Sequence, residues 1–313
     1  MDKRKRVLLI GGGGTLGTYT AKELLRLGAL VDVICPEEKC TDNANLHFYR
    51  AYATERMLAP LLAQKRYDGI VNFIHYPDAR QYPPVHRLLA GNTDHLIFLS
   101  SYRVYADREH PITENAPLLV DVVDDAGFLE KETYAVAKSK AEKYIRSETS
   151  LRNWTIVRPV ISFSSRRLDL VTHTGREIVD LAKMHKPIVL PRDTKNLTAG
   201  LDWAGNSGKL IANLLFKDAA LEETYTISSA QNLLWGEVAA IYARLLPADI
   251  QWIDLEEFIA HSPGLARDPW FLKYDRLLDR RIDNKKVLEA TGLQKEDFLS
   301  IEEGIRLELA KVL

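Results

Sequence analysis

The residues of this sequence best suited to proton transfer are a tyrosine and a lysine four residues apart, Tyr134 and Lys138. If this segment is helical, the two side chains share a face, and the ammonium of Lys138 lowers the pKa of the nearby phenol. A phenol that titrates near neutrality exchanges a proton with a substrate hydroxyl or carbonyl. The spacing alone is also typical of a solvated helical pair, so the hypothesis needs a second group.

Two serines supply that second group. Ser100 and Ser101 follow the apolar run Leu96 to Leu99, which is predicted to be a buried strand. Ligands of parallel sheets bind at the carboxyl ends of the strands. A serine hydroxyl at this edge can donate a hydrogen bond to the substrate oxygen that the phenol protonates.

A run of glycines near the start of the chain predicts a site for a dinucleotide. Gly11, Gly14 and Gly17 form G-x-x-G-x-x-G between a predicted strand and a predicted helix, with Thr15 and Leu16 inside the motif. Glycine permits the tight turn and the close approach of a pyrophosphate, which then faces the helix N-terminus. We expect these five residues to contact the cofactor.

The end of the second predicted strand leaves the kind of dinucleotide open. Cys35 and Pro36 stand where an acidic residue commonly binds the adenosine ribose. Glu37 and Glu38 follow and can reach the ribose hydroxyls, while Lys39 can meet a phosphate. A solvated loop is the other interpretation. The sequence therefore predicts NAD or NADP without deciding between them.

Apolar, β-branched runs alternate with helical segments through the first 230 residues, which predicts an α/β fold with a doubly wound parallel sheet. The predicted strands are Val7 to Ile10, Leu30 to Ile34, Gly69 to Ile74, Leu96 to Leu99, Thr155 to Val157 and Tyr225 to Ile227. Beyond Arg166 the pattern is less regular, and the predicted elements there are helices at 175–185, 201–217 and 304–312 and strands at 187–190 and 251–253. We expect a cofactor domain over 1–165, to which about 195–230 returns, and a smaller C-terminal α/β substrate domain mainly over 166–313.

The composition argues against several classes of function. The 313 residues carry 42 Lys+Arg against 43 Asp+Glu, so no surplus of positive charge favours nucleic acid. The two cysteines, Cys35 and Cys40, are too few for a disulfide framework or a four-ligand zinc site, and we expect no metal. No run approaches the roughly 18 apolar residues of a membrane span. We expect a soluble, cytoplasmic protein with a small-molecule substrate, and a solvated face over Arg276 to Lys286, where basic and acidic residues alternate.

Several motifs together resemble those of one family. They are the glycine turn, LIFLSSYRVY at 96–105, YAVAKSKAE at 134–142, the pair Arg158-Pro159 and Asp202-Trp-Ala204. Their order and spacing resemble the extended short-chain dehydrogenase/reductase family, in its NAD-dependent epimerase/dehydratase branch. The resemblance covers most of residues 6–230. It implies a Rossmann domain with a smaller substrate domain, frequent dimerisation, and chemistry on nucleotide sugars at a bound NAD or NADP.

The same resemblance implies roles for single residues. Ser101 falls on the catalytic Ser/Thr and Tyr134 on the acid/base. Lys138 falls on the lysine that lowers the tyrosine pKa and holds the nicotinamide ribose. The cofactor is further expected to contact Cys35, His75, Arg158 and Pro159. The substrate is expected to contact Ser100, Tyr102, Arg166, Arg167 and Lys195.

Three departures from the family pattern refine the prediction. Tyr102 and Arg103 stand where the family's dehydratases carry an Asp-Glu pair, which disfavours a sugar 4,6-dehydratase. The chain also has His75-Tyr76 in place of two small residues and Tyr52 in place of an adenine-contacting Asp. The sequence thus predicts an NAD(P)-dependent epimerase or reductase that acts on a sugar or nucleotide-sugar-like substrate. A non-catalytic dinucleotide-sensing or RNA-associated protein on the same fold is the alternative.

Overall fold

A computed structural model describes residues 4–131, 134–262 and 269–313. The strands are β1 Arg6–Ile10, β2 Leu30–Cys35, β3 Leu46–Arg50, β4 Tyr67–Asn72, β5 Thr93–Leu99, β6 Trp154–Pro159, β7 Ile161–Phe163, β8 Asp169–Leu170, β9 His173–Thr174, β10 Ile188–Pro191, β11 Leu201–Trp203, β12 Glu223–Ile227 and β13 Ile250–Ile253. The helices are α1 Thr15–Arg26, α2 Glu55–Gln64, α3 Tyr82–Ala90, α4 Leu119–Val122, α5 Ala126–Lys131, α6 Ala135–Ser147, α7 Gly175–Lys183, α8 Ala204–Leu214, α9 Trp235–Leu245, α10 Leu255–His261, α11 Lys285–Thr291 and α12 Ile301–Leu309. A helical turn, Pro269–Phe271, continues into a π-helix, Leu272–Arg276.

Seven of the strands form one parallel sheet in the order β12-β6-β5-β4-β1-β2-β3. The predicted α/β doubly wound fold is confirmed. From β1 the chain first builds the sheet in one direction through β2 and β3, and then returns to add β4 on the other side of β1. Such a reversal opens a crevice at the carboxyl ends of the two central strands, where ligands of these sheets bind.

The sheet is buried on both faces because its side chains alternate between two apolar clusters. Along β1, Val7 and Leu9 pack with α1 and α8, whereas Leu8 and Ile10 pack on the opposite face with α2, α3 and α6. All four side chains are fully buried. This two-sided burial holds the carboxyl end of β1, and with it the glycine turn, in a fixed position.

The edge strand β3, Leu46–Arg50, was not among the predicted strands. Its sequence LHFYR alternates apolar and polar residues and is only partly buried. The other differences are in element ends. The predicted helix 201–217 is in fact strand β11 followed by α8, because Leu201–Trp203 pairs with β7.

The elements after Arg166 surround a third apolar cluster, which draws on α7, α9, α12 and the parallel pair β10 and β13. The predicted helix 175–185 and strands 187–190 and 251–253 correspond to α7, β10 and β13. In the described ranges, no helix combines the length and the apolar character that a membrane crossing requires.

Candidate active site

The glycine turn has the geometry that the sequence predicts. Gly11 has a φ of 71°, in the left-handed region that favours glycine, and its N–H donates to the carbonyl oxygen of Ile34 at 2.9 Å. A Cβ at Gly17 would lie 2.3 Å from the Cα of Gly12, so only glycine lets α1 approach the strand end this closely. At Gly14 a Cβ would meet no atom within 4 Å. Gly14 thus borders open space.

The first turn of α1 is suited to an anion. Its N-cap residue is Gly14, so no side chain accepts a hydrogen bond from the first N–H groups, and the first turn contains no acidic residue. Free N–H donors and the helix dipole together favour negative charge at this position. The turn therefore fits the pyrophosphate of a dinucleotide.

A cavity of about 440 Å³ extends from this turn along the carboxyl ends of the strands. It joins the predicted cofactor residues to the predicted catalytic ones. Its lining is contributed by Gly11, Gly14, Thr15, Leu16, Gly17, Phe73, Leu99, Ser100, Ser101, Tyr102, Arg103, Tyr134, Pro159, Val160, Ile161, Ser162, Arg167, Phe271, Asp275 and Arg276. The phenol of Tyr134 and the two serines thus share one cavity with the glycine turn.

The two serines follow β5 directly. The N–H of Ser100 donates to the carbonyl oxygen of Val157 at 2.7 Å, which extends the pairing of β5 with β6. Its Oγ is buried and has no hydrogen-bond partner among the residues that the structure describes. The Oγ of Ser101 accepts from the N–H of Arg103 at 3.2 Å and caps the turn Tyr102–Val104. Both hydroxyls are therefore held at the edge of the cavity.

Tyr134 is the N-cap residue of α6, and Lys138 lies one turn later, so the predicted pair is helical. The Nζ of Lys138 lies 6.0 Å from the centre of the Tyr134 ring and donates to the carbonyl oxygens of Leu99 at 2.5 Å and Ile74 at 3.2 Å. Burial lowers the pKa of Lys138 to about 7. The ammonium is thus fixed below the tyrosine, against the ends of the central strands, and does not line the cavity.

Two further side chains pack on the Tyr134 ring. The His75 ring lies 4.8 Å from it and the Arg103 guanidinium lies 5.2 Å from its centre. Burial, reinforced by the charges of Lys138 and Arg103, lowers the pKa of His75 to about 4, so its imidazole is neutral at pH 7. The structure therefore places His75 against the tyrosine ring but not among the residues that line the cavity.

A cluster of buried charges also lines the cavity, and the sequence analysis missed it. The hydroxyl of Tyr102 donates to Asp275 at 2.5 Å, and NH1 of Arg276 donates to the same carboxylate at 2.6 Å. Nε of Arg103 lies 3.3 Å from it. The prediction of a solvated face over Arg276 to Lys286 is wrong for the first part of that segment, since Arg276 and Arg280 are 3% and 1% exposed. Alternating charges in the sequence gave no sign that tertiary partners bury them.

The remaining predicted site residues are placed as follows. Pro159 and Arg167 line the cavity. Arg158 does not, because it is buried in an ion pair with Glu142, Nε at 2.9 Å and NH2 at 2.5 Å. Lys195 packs over the Trp252 ring at 5.8 Å, also away from the cavity. Cys35 is buried at the end of β2, below Gly13.

A second cavity of about 580 Å³ lies on the other side of the glycine turn, and Thr15 lines both cavities. The loop after β7 passes between them. Ser164 Oγ lies 2.9 Å from Thr15 Oγ1, and NH1 of Arg166 donates to the carbonyl oxygen of Gly13 at 2.9 Å. This loop, 164–166, therefore bridges the groove in which an extended dinucleotide would lie.

The C-terminal helix α12 holds that loop in place. Glu308 is fully buried and accepts from the N–H of Ser165 at 2.8 Å and from Nε1 of Trp203 at 2.9 Å. It also accepts from the hydroxyl of Tyr19 on α1. One carboxylate thus ties the loop, α1 and α12 together.

The residues present fit a dinucleotide cofactor, because the turn leaves open space at Gly14, exposes N–H donors and leads to a cavity with an unpartnered serine hydroxyl. In the described residues there is no group of three or more His, Cys, Asp and Glu side chains that could hold a metal ion.

More than half of the chain matches one known protein family. The model of the NAD dependent epimerase/dehydratase family matches residues 7–203. No curated protein sequence matches the chain.

Among solved structures, the chain is similar to the UDP-glucose 4-epimerase of Thermotoga maritima with UDP-glucose, at 15% identity, TM-score 0.71 and 98% coverage of each chain. It is also similar to the dTDP-glucose 4,6-dehydratase of Bacillus anthracis with NAD, at 16% identity and TM-score 0.72, with 98% of this chain and 96% of that chain covered. At such identities the likeness shows the shared fold, whereas the family model matches well over half of the chain. The protein belongs to the NAD-dependent epimerase/dehydratase family.

Proposed function

We propose that the protein is an NAD(P)-dependent epimerase or reductase that acts on a hydroxyl or carbonyl group of a sugar or nucleotide-sugar-like substrate. The observation that carries the proposal is the shared cavity, which is lined by Ser101 and Tyr134 together with the glycine turn. In this proposal the reacting oxygen of the substrate lies in the cavity and contacts both hydroxyls. The family and the epimerase structures of the same fold support this type of reaction.

Gly14 and the first turn of α1 bind the pyrophosphate of the cofactor in this scheme. When bound, the nicotinamide supplies the hydride acceptor or donor. Tyr134 removes the proton from the substrate hydroxyl during oxidation, or returns it to the oxygen during reduction. Ser101 donates a hydrogen bond to the same oxygen and holds it beside the phenol.

Lys138 acts on this chemistry through charge. Its ammonium lies 6.0 Å from the centre of the Tyr134 ring and below the cavity, so its charge acts at the reacting tyrosine without touching the substrate. Because burial lowers the pKa of Lys138 to about 7, this positive charge is lost as the pH rises through neutrality. The neutral His75 packs on the same ring and keeps its orientation.

Between the reactions in the family's name, the residues after Ser101 favour epimerisation or simple oxidoreduction. Tyr102 gives its hydroxyl to Asp275, and Arg103 carries a permanent positive charge. Neither side chain is suited to the acid catalysis that elimination of water requires.

The test is the variant Tyr134→Phe, with Tyr144→Phe on the same helix as the matched control. Turnover is measured with UDP-glucose, dTDP-glucose and other nucleotide sugars, and NAD(P) affinity is measured by calorimetry. Tyr134→Phe is expected to keep cofactor affinity within about twofold and to lose at least about 100-fold in turnover, the scale of general acid–base catalysis. Tyr144→Phe is expected to retain activity, since its hydroxyl donates to Glu148 at the far end of α6, and Tyr144 does not line the cavity.

Two results would contradict the proposal. Undiminished turnover in Tyr134→Phe would remove the phenol from the mechanism. Cofactor binding by the wild type without turnover on any sugar would favour the non-catalytic dinucleotide sensor.

A further inference from the structure

The second cavity is strongly cationic. It lies on the side of the glycine turn nearest the end of β2, where the adenosine half of a dinucleotide is bound in sheets of this kind. In the described residues its lining contains no carboxylate and four cationic side chains, which are Lys22, Lys39, Arg166 and Lys311. Of these, Lys311 is paired with Glu308 at 2.8 Å. An anionic group is the ligand that such a lining favours.

Two of these cations converge on a single acceptor. Nζ of Lys39 donates to the carbonyl oxygen of Gly13 at 2.5 Å, and NH1 of Arg166 donates to the same oxygen at 2.9 Å. A carbonyl oxygen carries only a partial negative charge, so this acceptor itself offsets little of the repulsion between the two cations. Burial and the neighbouring Arg166 charge both lower the pKa of Lys39. The pair would gain from an anion placed between them.

The acidic residues of this loop do not reverse the balance. Glu38 bonds to Arg50 at 2.9 Å, on the side of β3. Glu37 lies closer, since its Oε2 is 2.6 Å from the point where a Cβ on Gly13 would be. It therefore offsets one of the two charges. Cys35, at the end of β2, supplies no carboxylate for a ribose diol.

We propose that Lys39 and Arg166 bind the 2′-phosphate of NADP(H), so that the protein selects NADP(H) over NAD(H). The phosphate carries about two negative charges and three acceptor oxygens, and an arginine fork and a lysine ammonium match it well. Arg166 comes from the loop that bridges the groove, so the same contact draws this loop onto the adenosine half. The inference concerns cofactor binding in the groove, so it can be tested without measuring turnover.

The test is isothermal titration of the intact protein with NADP⁺ and NAD⁺, and with adenosine 2′,5′-bisphosphate and AMP as probes of the adenosine end alone. Since a hydrogen bond to a charged group contributes about tenfold or more in affinity, wild type is expected to bind each 2′-phosphorylated ligand at least about tenfold more tightly than its partner. Lys39→Gln and Arg166→Gln are each expected to reduce this preference about tenfold, with NAD⁺ affinity changed less than about threefold. Lys140→Gln, which removes an exposed charge on α6, is the matched control and is expected to leave the preference unchanged.

The opposite assignment makes a different prediction. If Glu37 binds the ribose hydroxyls, NAD⁺ binds more tightly than NADP⁺ and Glu37→Gln weakens NAD⁺ binding. That result overturns the proposal, as does equal affinity for the two nucleotides, or a preference that neither Lys39→Gln nor Arg166→Gln alters. NADP⁺ preference without turnover supports this inference while contradicting the proposed enzyme, so the two fail separately.

Discussion

The buried ammonium of Lys138 makes a measurable prediction about stability, which the variant Lys138→Met isolates. Methionine has a similar length and no charge, so it fills the same space between α6 and the ends of β4 and β5. The lysine side chain is only 2% exposed, and burial lowers its pKa from 10.5 to about 7. Between these values the unfolded chain binds the proton and the folded chain releases it.

The sign and size follow from this difference in proton binding. Because the unfolded state holds more protons from pH 7 to pH 10.5, the free energy of unfolding rises with pH across this window, by up to about 1.36 kcal/mol per pH unit. Below the folded pKa the full penalty for burying the cation is present, and above pH 10.5 it disappears. Integrated from pH 7.5 to 9.5, the gain is about 2.5 kcal/mol for the wild type. The methionine variant lacks this contribution.

The assay is urea unfolding of the wild type, Lys138→Met and Lys140→Met at pH 7.5 and pH 9.5. Other titrating groups contribute equally to all three proteins, so the difference between wild type and Lys138→Met reports the one side chain. That difference is expected to shift by about 2.5 kcal/mol in favour of the wild type at the higher pH. Lys140 is exposed on the same helix, and its variant is expected to follow the wild type at both pH values. A constant gap between wild type and Lys138→Met would refute the reasoning.

Two further predictions concern the glycine turn and the buried ion pair. Gly17→Ala is expected to lower the free energy of unfolding, measured in urea, by about 3 kcal/mol or more, because its Cβ would overlap the backbone of Gly12. Gly14→Ala is expected to lower it by less than about 1 kcal/mol. The same Gly14→Ala variant is expected to bind NAD(P) at least about tenfold more weakly, as measured by calorimetry. Equal stability losses in both variants would contradict this division. Arg158→Leu is expected to destabilise the protein by about 3 kcal/mol because it removes the nearer ion-pair partner of the buried Glu142 carboxylate and leaves only Arg146, 3.9 Å away, and Arg158→Leu with Glu142→Leu is expected to recover most of that loss. A double variant that folds well but no longer binds the cofactor would instead support the cofactor contact that the sequence predicts for Arg158.

Features set by neighbouring residues could be predicted from the sequence. The buried strand β1, the glycine turn and the start of α1 follow one another within 20 residues, so their spacing alone specifies a strand, a tight turn and a helix. The pair Tyr134 and Lys138 is equally local, since one helical turn joins them. These elements contribute most of the residues that line the cavity at the glycine turn.

Features that depend on partners distant in the sequence could not be predicted from it. The partner of Tyr102 is Asp275, 173 residues later, and no pattern near either residue indicates the other. Arg158 lies near the end of β6, but its ion pair with Glu142 holds it away from the cavity. The strand β3 was not predicted for a related reason. Its edge position is only half covered, and this leaves too few apolar residues for a strand signal.

The carboxylate of Glu308 has a practical consequence for work on this protein. Through it, the last helix holds the loop that carries Arg166, and Lys311 lines the cationic cavity. Lys311, which follows α12, thus borders the same cavity as Gly12 and Thr15 of the glycine turn, although about 300 positions separate them in the sequence. A bulky group attached directly after α12 would therefore alter nucleotide affinity, so purification tags belong away from this helix.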